Sequence, residues 1–144
     1  MRINTKFPVA IHILSFIAIA GEKYSTSENL SKSVNTNPVV IRRINALLKK
    51  ANLISVVPGI GGAKLNRDPD DITLLDIYNA VVSVSNDTIF DLNHNPNPSC
   101  VIGANINNAL SEPLSAAQQG LENVLNKYTL RDIISQIPKH SNKK

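Results

Sequence analysis

Residues 35–67 read NTNPVVIRRINALLKKANLISVVPGIGGAKLNR, and the spacing of their apolar residues changes halfway along. The first half repeats at helical spacing, and Asn37 followed by Pro38 is a typical helix start. The second half contains two strand-like runs, 53–57 and 63–67, separated by the turn sequence PGIGG. The stretch therefore predicts a helix followed by a β-hairpin.

Two apolar patterns before this stretch indicate further helices. Residues 5–20 carry apolar side chains at helical spacing and are followed by Gly21, a residue type that commonly ends helices. Ser27 suits the N-cap of a second helix that runs to about Val34. Three helices followed by a glycine-tipped hairpin are typical of a winged helix-turn-helix, so we expect a mainly α fold with a small β-hairpin.

The C-terminal half is organised around one long helix. A helical pattern over 72–82 is followed by a loop over 84–100 that is rich in Asn, Asp, Ser and Pro. A long helix is predicted over 101–127, and a short helix with a basic tail over 128–144. The winged helix-turn-helix domain then spans residues 1–83.

The long helix carries a heptad-like apolar stripe, which is the spacing of a helix seam. At the standard rise this helix would be roughly 40 Å long, too long for the preceding domain to cover. We therefore expect a second chain as its partner. Pro113 lies inside the pattern, and because the stripe stays in register across it we expect one kinked helix rather than two. The predicted dimer interface comprises Ile106, Leu110, Leu114, Ala117, Leu121 and Val124.

Positive charge is concentrated in the N-terminal half. Residues 1–72 carry ten Lys and Arg against five Asp and Glu, and residues 73–144 carry five against six, which together give the overall charge of +4. A basic half suggests a polyanionic partner, here double-stranded DNA. The predicted DNA-binding residues are Ser27, Asn37, Val39, Arg42, Arg43, Lys50, Gly59, Gly61, Gly62 and Lys64.

The residues of this set would contact DNA in different ways. Arg42 and Arg43 lie on the predicted outward face of helix 37–51, and guanidinium groups there can read guanine edges in a major groove. Free amides at the start of that helix would bind a phosphate. The glycines in the wing, residues 54–67, would let its backbone approach DNA closely, and Lys64 adds charge.

Several classes of protein are disfavoured by the sequence. It has no phosphate-binding G-x-x-x-x-G-K loop, no G-x-S-x-G motif and no His-rich metal motif, so we do not expect an enzyme. The single cysteine excludes an internal disulfide, and the apolar run over 7–21 is too short to span a bilayer. We expect a cytoplasmic protein that does not bind membranes.

Four segments together resemble the Rrf-two family of bacterial transcriptional regulators, the group of IscR, NsrR and CymR. They are NTNPVVIRR, the wing GIGGAKL with the following ITLLDIY, the loop PNPSCVIGANI, and YTLRDII near the C-terminus. The first of these is similar to the YwnA-like subgroup. The resemblance implies a homodimeric regulator, usually a repressor, that dimerises through the long helix. A two-fold dimer would read a palindromic operator. An alternative is a winged-helix protein–protein adaptor without sequence-specific DNA binding.

Cys100 departs from the pattern of the cluster-binding members of that family. Those members carry three cysteines around this loop to hold a [2Fe–2S] cluster, whereas here Cys100 is accompanied by Asn95, Asn97 and Ser99, which are poor ligands for iron. We therefore expect no iron–sulfur cluster. His94 and Asp91 form only a weak zinc-site pattern with Cys100, so no metal is expected.

Two signals are compatible with the sequence. One is oxidation of Cys100, whose thiol would be activated by the start of the long helix. The other is a small-molecule effector that binds between the DNA-binding domain and the long helix. A third reading makes Cys100 a packing residue near the dimer seam, without a sensory role.

Overall fold

The structure, a computed structural model, describes residues 5–59, 61–82, 90 and 92–138. The helices are α1 (Lys6–Ala20), α2 (Ser27–Val34), α3 (Pro38–Lys50), α4 (Leu74–Val81), α5 (Val101–Leu125) and α6 (Leu130–Ile134). Strands β1 (Ile54–Val56) and β2 (Ala63–Leu65) form an antiparallel hairpin in which Ile54 lies opposite Leu65. Short 3-10 turns, Glu22–Tyr24 and Pro69–Asp71, precede α2 and α4. The predicted fold class is confirmed. Residues 84–89 and 91 of the predicted loop, and residues 139–144 of the basic tail, lie outside the described residues.

Helix α1 lies at the centre of the domain, where it contacts α2, α3, α4, α6 and β2. Its inward side chains Ala10, Ile13, Leu14 and Ile17 are at most 3% exposed. Each of the larger ones contributes about 1.5–3 kcal/mol when fully buried, so α1 supplies much of the stability of the domain. Gly21 ends the helix with a φ of 89°, a left-handed conformation that favours glycine.

Side-chain caps set the start of the second and third helices. The Thr26 hydroxyl accepts the backbone N–H of Asn29 at 3.2 Å, and Ser27 is the first residue inside α2. The prediction that Ser27 is the N-cap is therefore wrong by one position, because Thr26 offers the same kind of acceptor one residue earlier. The prediction for Asn37 is confirmed, since its Oδ1 accepts the N–H of Val39 at 2.8 Å.

The glycines of the wing have two different roles. Gly59 and Gly61 lie at the tip, with φ angles of 83° and 79° that a side chain would strain. Gly62 is buried, and a Cβ at this position would overlap the backbone carbonyl oxygen of Glu22. This glycine therefore lets β2 pack against the turn before α2, and its predicted contact with DNA stays a prediction.

The chain after α5 returns to the core of the winged-helix domain. Thr73 and Thr129 form an antiparallel bridge, and the Leu130 N–H donates to the Ile72 carbonyl at 2.8 Å. Leu130 is fully buried among the side chains of the core. The first part of the segment predicted over 128–144 therefore belongs to the domain rather than to a tail.

Helix α5 is one continuous helix of 25 residues that includes Pro113. None of these residues, all of which the structure describes, is buried. Its contacts with the domain lie near its C-terminus, where Leu121 and Leu125 pack against the core and Gln118 Nε2 donates to the Tyr78 hydroxyl at 3.0 Å. Among the described residues, no helix is both long and apolar enough to cross a membrane.

We predict that Gly62→Ala destabilises the fold by about 1–3 kcal/mol, because the new methyl group meets a backbone carbonyl that cannot rotate away. Urea unfolding followed by circular dichroism would measure the change.

The matched control is Gly120→Ala, which makes the same substitution inside α5 at a position with open space around a Cβ. It should stabilise the protein by about 0.5–1 kcal/mol, because glycine is a poor residue for a helix interior. Equal midpoints for Gly62→Ala and the unmodified protein would contradict the packing role of Gly62.

Candidate nucleic-acid interface

Helix α3 separates a buried apolar face from an exposed basic one. Ile41, Ile44 and Leu48 are at most 2% exposed and hold the helix against the core. The opposite face is solvent-exposed and carries Val39, Arg42, Arg43, Ala46, Lys49 and Lys50. The structure thus brings four of the predicted DNA-binding residues onto one surface, which we name the α3 face and define by that list.

The cations of the α3 face are available to an external partner. In the part of the chain that the structure describes, neither Arg42 nor Arg43 forms an ion pair, and the same holds for Lys50. A guanidinium group that is exposed and forms no ion pair has all its N–H donors accessible to phosphates or base edges. Lys49 belongs to the same surface, although it is not among the DNA-binding residues predicted from the sequence.

The start of α3 offers less to a phosphate than we predicted. Asn37 accepts the Val39 N–H through its own side chain, and the Val40 N–H donates to the Asn37 carbonyl at 2.9 Å. Pro38 has no N–H to donate. The cap that starts the helix therefore occupies the Val39 amide, and binding of a phosphate at Asn37 and Val39 stays a prediction.

The other predicted DNA-binding residues lie in the wing and in the first turn of α2. Lys64 is exposed at the centre of β2, and Gly59 and Gly61 are exposed at the tip. Ser27 is half-buried in the first turn of α2. The structure therefore leaves Lys64 and the tip glycines accessible, while Ser27 is mainly part of a helix start.

An aromatic side chain beside the wing was not predicted from the sequence. Tyr24 lies in the 3-10 turn before α2, is 56% exposed, and has the Lys23 ammonium 5.7 Å from its ring centre. The neighbouring Glu22 is the residue that Gly62 packs against. A single Lys-Tyr pair between two helices gives no sequence signal, because its exposure depends on how the wing folds back onto this turn.

Cys100 occupies the N-cap position of α5 and is exposed. The backbone N–H groups of Gly103 and Ile102, in the first turn of α5, favour the thiolate and lower the pKa of Cys100 below its ordinary value. Asn97, a neighbour in the predicted loop, already accepts the Ser99 N–H at 2.9 Å. Within the described ranges, no three His, Cys, Asp or Glu side chains form a group that could hold a metal ion, and Asp91 lies outside those ranges.

The residues predicted for a dimer interface are distributed over two regions of α5. Leu121 packs against the core of its own chain, where it contributes to the attachment of the helix. Ile106, Ala117 and Val124 are exposed, Val124 by 50%. Leu110 and Leu114 are half-buried. The apolar stripe therefore remains largely uncovered in a single chain.

Comparisons with known proteins agree with this architecture. The Rrf2 family, described as an iron-dependent transcriptional regulator, matches residues 3–136. YwnA of Bacillus subtilis (strain 168), provisionally named an HTH-type transcriptional regulator, is 43% identical over 135 residues, which cover 94% of this chain and 98% of YwnA.

Solved structures show the same fold. A crystal structure provisionally described as a DNA-binding protein is 40% identical, with a TM-score of 0.72 over 90% of this chain and 98% of the other. CymR, the global cysteine regulator of B. subtilis, shares the fold at 22% identity, with a TM-score of 0.68 over 96% of this chain and 99% of CymR. The family match spans nearly all of the chain, and the predicted resemblance is confirmed: this chain belongs to the Rrf2 (Rrf-two) family of transcriptional regulators and is not an enzyme.

Proposed function

We propose that this protein is a cytoplasmic, homodimeric repressor that binds a palindromic operator with α3 and its wing. The observation that carries the proposal is the α3 face, on which Arg42 and Arg43 are exposed without an ion-pair partner among the described residues. A helix of this kind fits a DNA major groove, where a good bidentate contact between arginine and guanine gives about 1–3 kcal/mol of discrimination. The exposed basic face of α3 argues against an adaptor without DNA binding.

The wing supports the same mode of binding. Lys64 is exposed on β2, next to a tip that is kept free of side chains at Gly59 and Gly61. A lysine beside exposed backbone suits contact with a phosphate or the edge of a minor groove. Such contacts fix the position of the protein on DNA, and α3 supplies sequence discrimination.

The uncovered stripe of α5 supports assembly of two chains. Removal of exposed apolar side chains such as Val124 from water stabilises an assembly by about 25 cal/mol per Å² of apolar surface buried. A two-fold pair of α5 helices would present two α3 helices about 34 Å apart, the repeat of one turn of B-DNA. The expected operator is therefore an inverted repeat.

An iron–sulfur cluster does not fit the residues present. Such clusters are held by several Cys or His ligands, whereas Cys100 is the single cysteine of the chain. The side chain of Asn97 is engaged in the turn before α5, and an amide is a poor ligand for iron. Although the family is described as iron-dependent, we propose that this member functions without a cluster.

An oxidant is one candidate signal, and it is favoured by the exposure of Cys100 and by its lowered pKa. The thiolate would attack a peroxide oxygen, forming a sulfenic acid and releasing hydroxide. A small-molecule effector is the other candidate.

We predict that Arg42→Ala and Arg43→Ala each weaken operator binding about tenfold or more, and that the double variant reduces the dependence on salt. An electrophoretic mobility shift at two salt concentrations, with DNA selected from a random pool, would measure both effects. Lys127→Ala removes an exposed charge after α5 and serves as the control. Unchanged binding by the double variant would contradict the assigned reading residues.

We predict that Ile106→Glu converts a dimer into monomers, because a charge would be buried in the seam between two α5 helices. Light scattering coupled to size-exclusion chromatography would report the mass. Asn108→Glu adds the same charge on the opposite side of the helix and should leave the mass unchanged. A dimer that persists in Ile106→Glu would place the interface elsewhere.

We predict that hydrogen peroxide weakens operator binding by the unmodified protein but not by Cys100→Ser. The alkylation rate of Cys100 with iodoacetamide should also rise at a lower pH than in a free peptide of residues 95–103. The helix amides stabilise the thiolate in the protein, and the peptide lacks them.

Cys100→Ala provides a second variant without the thiol. If Cys100→Ser responds to peroxide like the unmodified protein, the oxidant signal at this residue is wrong. If protein and peptide are alkylated with the same pH midpoint, the activation of Cys100 by the start of α5 is wrong.

A further inference from the structure

A cavity of about 390 Å³ opens between the C-terminal half of α3, the start of β1 and the outer side of α4. This volume is at the lower end of the range of ~300–1,000 Å³ that small-molecule sites occupy. Its lining residues are Leu47, Lys50, Ala51, Leu53, Arg67, Asp76, Asn79 and Ala80. We name it the α3–α4 cavity.

The inner wall of the α3–α4 cavity is apolar. Leu53 and Ala80 are 1% and 3% exposed and belong to the core, and Leu47 packs against the same core. A short hydrocarbon chain or a single ring would be stabilised there mainly by removal of its own apolar surface and that of half-buried Leu47 from water, because Leu53 and Ala80 have little exposed surface left to cover.

The rim of the cavity carries an excess of positive charge. Arg67 Nη2 lies 3.3 Å from Asp76 Oδ2, and that same oxygen accepts the Thr73 N–H at 3.0 Å in the capping box of α4. The negative charge of Asp76 is therefore already engaged by the start of a helix and by one side of the guanidinium. Lys50 forms no ion pair within the described residues.

Arg67 is held in position for a second anion. Its guanidinium has five N–H donors in a planar fork, and the contact with Asp76 is made through Nη2. Apart from Asp76, the described residues provide no partner for the other donors. A carboxylate that entered the cavity could therefore bind Arg67 and Lys50 together.

We propose that the α3–α4 cavity binds a small monocarboxylate with a short apolar tail. The carboxylate pairs with Arg67 and Lys50, and the tail covers Leu47, Leu53 and Ala80. The cavity is adjacent to the α3 face, since Lys50 belongs to both.

The regulatory consequence rests on the proposed DNA-binding function. A carboxylate that pairs with Lys50 removes a cation from the α3 face and competes with DNA phosphate for it. A ligand wedged between α3 and α4 would also shift α3 relative to the rest of the domain. We therefore expect the bound carboxylate to lower the affinity of the protein for its operator.

The test uses hexanoate and its neutral analogue hexanamide as probes, with the full chain labelled for nuclear magnetic resonance. Hexanoate should shift the amide signals of Leu47, Leu53 and Ala80, whereas hexanamide should bind about tenfold more weakly, because it lacks the charge that Arg67 and Lys50 recognise.

Two variants test the charged groups separately. Arg67→Gln and Lys50→Gln should each weaken hexanoate binding about tenfold, and Lys127→Gln, which removes a charge outside the cavity, should not. The Lys50 variant keeps the test decisive if loss of the Arg67 contact with Asp76 disturbs the fold.

Three outcomes would overturn the proposal: no shift of these signals at millimolar hexanoate, equal binding of hexanamide, or unchanged hexanoate binding by both variants. Operator binding is measured in parallel with hexanoate or chloride at the same ionic strength. A protein that binds hexanoate in the cavity but binds no DNA would contradict the proposed function alone. A protein that binds DNA but not hexanoate would contradict the cavity proposal alone.

Discussion

The pairing of the chain across Thr73 and Thr129 is the constraint on which the arrangement of the rest depends. Leu74 N–H donates to the Tyr128 carbonyl at 2.9 Å, and Leu130 enters the core just beyond. The pairing thereby fixes the start of α4 and the chain just after α5 beside each other on the winged-helix domain. Because α5 approaches this anchor at its C-terminus, its N-terminal half extends away from the core and keeps its apolar side chains exposed.

This attachment also links the long helix to α4. Gln118 Nε2 donates to the Tyr78 hydroxyl and to Glu122 Oε2, both at 3.0 Å. A carboxylate can only accept, so the orientation of the Gln118 amide is defined. The Tyr78 ring in turn packs edge-on against Phe7 of α1, with ring centres 5.6 Å apart. A change in the position of α5 therefore reaches the central helix through partly buried contacts.

Local signals in the sequence were sufficient for the elements, but not for contacts between distant residues. Asn37 and Pro38 define the start of α3 within a few residues, and that prediction is confirmed. The role of Gly62 depends on Glu22, forty residues earlier, and no local pattern encodes that contact. Leu130 likewise looked like part of a short terminal helix, and its burial depends on the strand-like bridge to α4. The exposed α3 face was predictable because helical periodicity alone separates it from the core.

The two candidate signals act at very different distances from the proposed DNA-reading surface. Cys100 lies at the far end of a 25-residue helix, which is about 37 Å long at the standard rise. A modification there can reach α3 only through the loop before α5, through the whole helix, or through a second chain packed on it. The α3–α4 cavity is instead lined by Leu47 and Lys50 of α3 itself. Direct contact makes a ligand in that cavity the shorter physical route to control of α3, whereas control by Cys100 has to pass along one of the three longer routes.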